Sequence, residues 1–336
     1  MMLTSIGDLA RGFALKRQSV VLRQALTRLG SEVSSGRAAD PVAHLGGHLA
    51  GLAQIEHDLV LAASYRDGAQ EARIAAETMQ ISLDRIATGS DRLIHTLALS
   101  GADAGHTGLS VAAAEAAAEF EGFVSALDVG VAGRHLFSGT AVDTAPLAPA
   151  GDILAQLGVA IAAARTPAEV MAAADAFFDT PGGAFEALVY RGAAQSLAPA
   201  ELGAGETADL GLRADHEAFR ATLKHTALAA LADDPALALS DEARHGVLGL
   251  ALDGMLGARD AQAALQAGLG SVEGRIARAG ARLEAETAAL EMARGALIAV
   301  DPYEAATELE AVRLQLETVY SVTARLSRLN LVNFLS

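Results

Sequence analysis

Apolar residues recur at helical spacing along most of this chain, and the sharpest pattern runs from Asp301 to Ser336. Leu309, Val312, Leu316, Val319, Thr323 and Leu326 step by 3, 4, 3, 4 and 3. That is a heptad seam, which requires a partner helix. Past Leu326 the stripe widens into Leu329, Leu331, Val332, Phe334 and Leu335, an apolar end that calls for burial against something. Asp301 is placed to cap this helix, Pro302 fits its first turn, and Glu304 has capping-box spacing. A second stripe opens the chain. Residues 5–34 read as a helix capped by Ser5, with Leu15, Leu22, Leu26, Leu29 and Val33 on one face and with Ile6 and Phe13 as further apolar positions.

Proline placement sets the organisation between these ends. The eight prolines are Pro41, Pro146, Pro149, Pro167, Pro181, Pro199, Pro235 and Pro302, so the flanks are free to form long helices while the middle is broken. Gly36 to Pro41 reads as a turn and 42–48 as irregular. A long helix is expected over about 50–100, a break at Ser100, Gly101 and Gly105, and another helix over about 108–130. The stretch HLFSGTAVDTAPL reads as strand-like and then a turn. Helices follow over 151–164 and from a Thr166–Glu169 capping box to Phe178, then a turn at 180–183. Phe185–Tyr190 and Ala208–Arg213 read as short paired strands, Asp215–Ala232 as a helix, and Ser240–Val300 as one long helix or two abutting ones. The fold class is therefore mainly α, with a small α+β domain inserted mid-chain. The expected division is 1–40 with 301–336 as a terminal coiled-coil assembly domain, 41–145 with 236–300 as a helical rod domain, and 146–235 as the insert.

Composition narrows the function. With 51% hydrophobic residues, 4% aromatic and no Trp, the chain favours long, closely approaching helices. The absence of Cys removes disulfides, thiolate metal sites and a Cys nucleophile. A net charge of −16 argues against nucleic acid as a partner. The charge is uneven, with basic Arg11, Lys16, Arg17, Arg23, Arg28 and Arg37 in residues 1–37 and an acidic excess in 301–336, a complementarity that favours pairing of the two ends. The longest run without Asp, Glu, Lys or Arg, 41–55, is too short and polar for a membrane span, and no cleaved signal peptide is expected.

Candidate chemistry is sparse. His44 and His48 have metal-pair spacing, but Gly46-Gly47 breaks the helix they would need, and Leu45 stands where the HExxH pattern needs Glu. Neither lysine sits in a phosphate loop, Gly268–Gly274 has the wrong spacing for a dinucleotide fingerprint, and no GxSxG elbow occurs. Asp233-Asp234 and Asp241-Glu242 read as charged surface. No enzyme, cofactor or metal is therefore expected; the informative features are interaction surfaces.

Three motifs carry a resemblance. ARLSRLNLVNFL at the C-terminus resembles the end of bacterial flagellins and flagellin-related hook-associated proteins. SEVSSGRAADP resembles their first helix and its turn, and GRHLFSGTAVDTAPL resembles a stretch of the hook–filament junction proteins within that superfamily. FEALVYRG followed by LGLRADHEAF is a looser match to the junction proteins' insert. The resemblance implies paired terminal helices, a helical rod and an outer insert. It further implies self-assembly next to hook-associated and flagellin subunits, an extracellular position in the flagellum at the hook–filament junction, type III export and a cytoplasmic chaperone on the C-terminal helix. The assembly residues it points to are Ile6, Phe13, Leu22, Leu26, Leu29, Val33, Leu309, Val312, Leu316, Val319, Leu326, Leu329 and Phe334. Flagellin itself is the alternative reading, and a soluble helical binding module is another.

Overall fold

The computed structural model describes residues 6–100 and 105–335, with side chains described for 10–100 and 105–326. The chain is mainly helical. In order it forms α1 (Ile6–Ser35), α2 (Pro41–His44), α3 (Ala50–Leu99), α4 (Gly105–Leu127), a two-stranded hairpin β1 (Gly130–Val131) and β2 (Arg134–His135), α5 (Ala150–Ile161) and α6 (Pro167–Phe178). A π-helical turn over Phe185–Val189 follows, then the hairpin β3 (Ala200–Gly203) and β4 (Glu206–Ala208), α7 (Glu217–Leu231), α8 (Asp241–Ile298) and α9 (Pro302–Leu335). Both hairpins are antiparallel and isolated, so no extended sheet forms among the described residues. The chain divides into two compact units, 1–63 with 285–336 and 64–284.

The helices begin and end where local chemistry dictates. Asp40 accepts from the Val42 and Ala43 N–H groups, turning the expected irregular stretch after Pro41 into the short α2. Thr166 and Glu169 form the expected reciprocal capping box at the start of α6. Asp301 accepts from the Tyr303 and Glu304 N–H groups, so Glu304 contributes its backbone rather than its carboxylate to that cap. Residues 241–298 form one unbroken helix, which decides between the two expectations for that stretch.

Two strand expectations are corrected. Phe185–Tyr190 is the π-helical turn, because Phe185 and Val189, four apart, are both fully buried while Leu188 between them is half exposed. Tyr190 alone bridges, to Leu147. Strand pairing falls upstream of Ala208–Arg213, between 200–203 and 206–208. The HLFSGT stretch is a strand only through His135 and then turns.

In the unit formed by 64–284, α7 is the central helix, buried on nearly every side and packed against α4, α5 and α6. Phe137, Phe178, Phe185 and Phe219 are fully buried, and Phe137 meets Phe219 edge to face at 5.8 Å. Polar groups enter this core as a chain. The Gln262 side-chain amide donates to Ser90 Oγ at 3.2 Å and to Thr222 Oγ1 at 2.6 Å, tying α8 to α3 and α7. Gln262 is 95% buried, so its satisfied bonds fix the axial register of three helices.

Candidate functional site

The unit formed by 1–63 and 285–336 is built on α1 and α9, which pack lengthwise against each other. They run antiparallel. The end of α1 meets the start of α9 through two backbone bonds, Ala38 N–H to Ile298 O at 2.8 Å and Val300 N–H to Gly36 O at 3.1 Å. Farther along, the Arg23 guanidinium lies over the Tyr320 ring, 5.8 Å from its centroid. α1 stops because Gly36 adopts φ 67° and its N–H closes on Glu32 O.

Between the helices is the seam expected from the spacing. Leu22 and Leu29 of α1 and Ala305 and Val319 of α9 are buried, while Leu15, Leu26, Val33, Leu309, Val312 and Leu316 are half-buried. At ~1.5–3 kcal/mol for full burial of a Leu or Val side chain, these contacts hold the pair together. The heptad continues to Thr323 and Leu326, but both are exposed. Phe13 is 70% exposed, on the outside of the pair rather than in the seam. The side chains of Ile6, Leu329 and Phe334 lie outside the described residues.

The structure also places a residue in the seam that periodicity assigns to solvent. Glu32 is 95% buried. Its carboxylate accepts from Arg28 at 2.9 and 3.0 Å and from the Ala39 N–H at 3.1 Å, so it ties the end of α1 to the turn that follows. The Glu four places after Arg28 was the only signal for this in the sequence. A cleft of about 570 Å³ opens beside it, with Asp40, Asp301, Glu304 and Glu308 on its walls. Among the described residues, no three His, Asp or Glu side chains gather as a metal ion would need.

The outer faces of the pair remain apolar in part. Phe13 and Val20, two turns apart, are exposed on α1; Tyr303 and Leu314, three turns apart, are exposed on α9. Such stripes on helices whose inner faces are already paired suit lateral packing by further helices.

In the other unit, the LFSGT stretch is a tight structural knot. Gly139 (φ 62°) lets the chain turn back beneath 193–195. Ala193 N–H donates to Ser138 O at 2.9 Å, Thr140 N–H to Gln195 O at 3.0 Å, Ala214 N–H to Phe137 O at 2.9 Å, and Ser138 Oγ to Thr144 O at 2.6 Å. Arg213 clamps the outside, pairing with both Asp215 oxygens at 2.8 Å and donating to Ala194 O. Tyr190 donates to Ala193 O at 2.9 Å. Burial, with Asp215 nearby, pushes the Tyr190 hydroxyl up to about 12. Asp233 is likewise structural rather than plain surface, pairing with Arg244 at 2.9 Å.

Residues 253–335, the greater part of α8 and all of α9, match the family model of the bacterial flagellin C-terminal helical region. No curated protein matches the sequence. Among solved structures, the chain is similar to one provisionally described as a flagellar hook-associated protein from Vibrio parahaemolyticus. The identity is 14% and the TM-score 0.43, over 74% of this chain and 98% of that one.

Proposed function

We propose that this chain is a non-enzymatic structural subunit of the bacterial flagellum, and that it serves as the adaptor joining hook to filament. One observation carries the structural reading. The segment resembling the flagellin C-terminal region includes α9, and α9 is the helix that pairs with α1 while leaving apolar outer stripes. A helix pair of this kind is a building block for a tube wall: the inner seam makes the subunit, and the outer stripes pack against neighbours. The adaptor role draws its support from the Gly133–Leu147 stretch, whose resemblance is to junction proteins. In this role the chain assembles with copies of itself and contacts hook-associated and flagellin subunits. It is exported by the type III route and is held beforehand by a chaperone on α9.

Deleting the gene and viewing cells by electron microscopy tests both levels. The adaptor reading expects bare hooks with flagellin monomers released into the medium. Bare hooks with no flagellin in the medium would make this chain the filament subunit instead. Normal filaments on a motile mutant would overturn the flagellar reading as a whole.

A further inference from the structure

We propose that the corner where α6, α7 and α8 meet is an acid-operated latch, closed while His225 is neutral and opened when it takes a proton. The latch belongs to the unit formed by 64–284 and stands apart from the assembly reading.

The geometry is unusual for a histidine. A Cβ built at Gly254 of α8 would fall 2.1 to 2.4 Å from three atoms of the His225 ring. The imidazole therefore lies directly on the α8 backbone, in space that any other residue at 254 would fill. Its Nδ1 is buried and has no hydrogen-bond partner. Beside it on α7, Lys224 is buried, with Nζ held by Asp175 at 2.6 Å and Asp179 at 2.5 Å, both contributed at the end of α6. The same end of α6 is gripped by Arg220, which donates to Phe178 O at 3.1 Å.

Among the described residues, three charges act on His225. Lys224 repels a second cation, and Asp175 and Asp179 attract one, but one oxygen of each already holds Lys224. α8 meets the ring with the uncharged backbone of Gly254, and among the described residues no charged group of α4 or α5, which also pack on α7, acts on it. Burial first, and Lys224 second, depress the imidazole to about 4.

An imidazolium needs an acceptor at each nitrogen, and Nδ1 has none. The ring has two ways out. It can swing off Gly254 into water, which separates α7 from α8. Or it can take a carboxylate from Lys224, which separates α7 from α6 and leaves a buried ammonium half-paired. Both free the same helix.

Hydrogen exchange of the full chain at pH 7 and pH 4, with labelling times scaled to the intrinsic rate, reads the latch. In the native protein, protection over 217–231 should fall at least tenfold relative to 69–97 on acidification. In His225→Leu it should change less than about twofold. An equal tenfold loss in the variant, or none in the native protein, overturns the latch. Should the Leu variant fail to fold at pH 7, NMR titration of the native His225 ring decides. A midpoint near 4 that coincides with the onset of α7 exchange supports the latch, and a midpoint near the ordinary ~6.5 overturns it.

Discussion

Replacing Gly139 by Ala should be among the most damaging single-methyl changes in this protein, and the reason can be divided into two parts. The first is conformational. Gly139 sits at φ 62°, where a Cβ costs about 1–2 kcal/mol. The second is steric. The added Cβ would lie 2.4 Å from Gln195 O and 2.8 Å from Ala193 O, both backbone atoms that no rotamer change can move. The 193–195 segment must shift, and with it go the Thr140 N–H bond to Gln195 O and the Ala193 N–H bond to Ser138 O. At roughly 0.5–1.5 kcal/mol net for each bond, the sum is about 2–5 kcal/mol. Gly133→Ala is the matched control. It has φ 78° and nothing within 4 Å of its Cβ, so it carries the conformational part alone. Hydrogen exchange of peptides covering 136–144 and 190–197, read beside urea unfolding by circular dichroism, should show Gly139→Ala the worse by about 1–3 kcal/mol. Equal losses for the two variants would refute the steric half of the argument.

Other expectations follow from the same physics. Leu29→Ala should weaken the α1–α9 pair by about 2–5 kcal/mol, whereas Leu314→Ala, on the exposed face, should stay within about 0.5 kcal/mol; exchange over 15–33 and 305–320 separates them. Leu316→Asp should prevent incorporation into flagella while leaving 64–284 folded, which pull-down of assembled flagella and circular dichroism together would check. Gln262→Ala should cost more than Gln262→Leu in urea, because Leu refills the space while the Thr222 hydroxyl keeps its bond to Ala218 O. His225 has a folded-state pKa below its unfolded one. Its contribution is therefore complete above ~pH 6.5 and is lost as pH falls toward 4, about 3 kcal/mol in all, visible as a falling urea midpoint that His225→Leu should flatten.

How much of this was legible in the sequence varied with the kind of signal. The long helices, the Thr166 capping box and the α1–α9 seam could be read, because proline, cap and heptad rules act locally and repeat. Phe185–Val189 could not, because a short apolar run satisfies both the alternate spacing of a strand and the i, i+4 spacing of a helical turn. Glu32, Lys224 and Gln262 were hidden for another reason. Pattern reading assigns polar residues to solvent, whereas each of these is buried by partners that only the tertiary fold supplies. The HLFSGT stretch carried its signal in Gly139 and its neighbours, but the segments it holds, 193–195 and 213–214, lie too far along the chain for spacing to reveal. Charge complementarity between the ends was a coarse guide. The described ion pairs on these helices lie within a helix, as Arg28 with Glu32 and Arg313 with Glu310 and Glu317, and Arg23 meets α9 through a ring face.

The α1–α9 seam also carries a kinetic consequence. Arg23 and Tyr320 are roughly three hundred positions apart, so their encounter closes a loop about twenty times longer than a typical 15-residue one. At ~0.6 kcal/mol per doubling, that closure costs about 2.5 kcal/mol more entropy, which the contacts between α1 and α9 must offset. Contacts of such separation form late and slow the approach to the native state. The two ends of this chain therefore spend longer apart, during folding, than any helix between them. That interval is when another polypeptide has its best opportunity to claim either one.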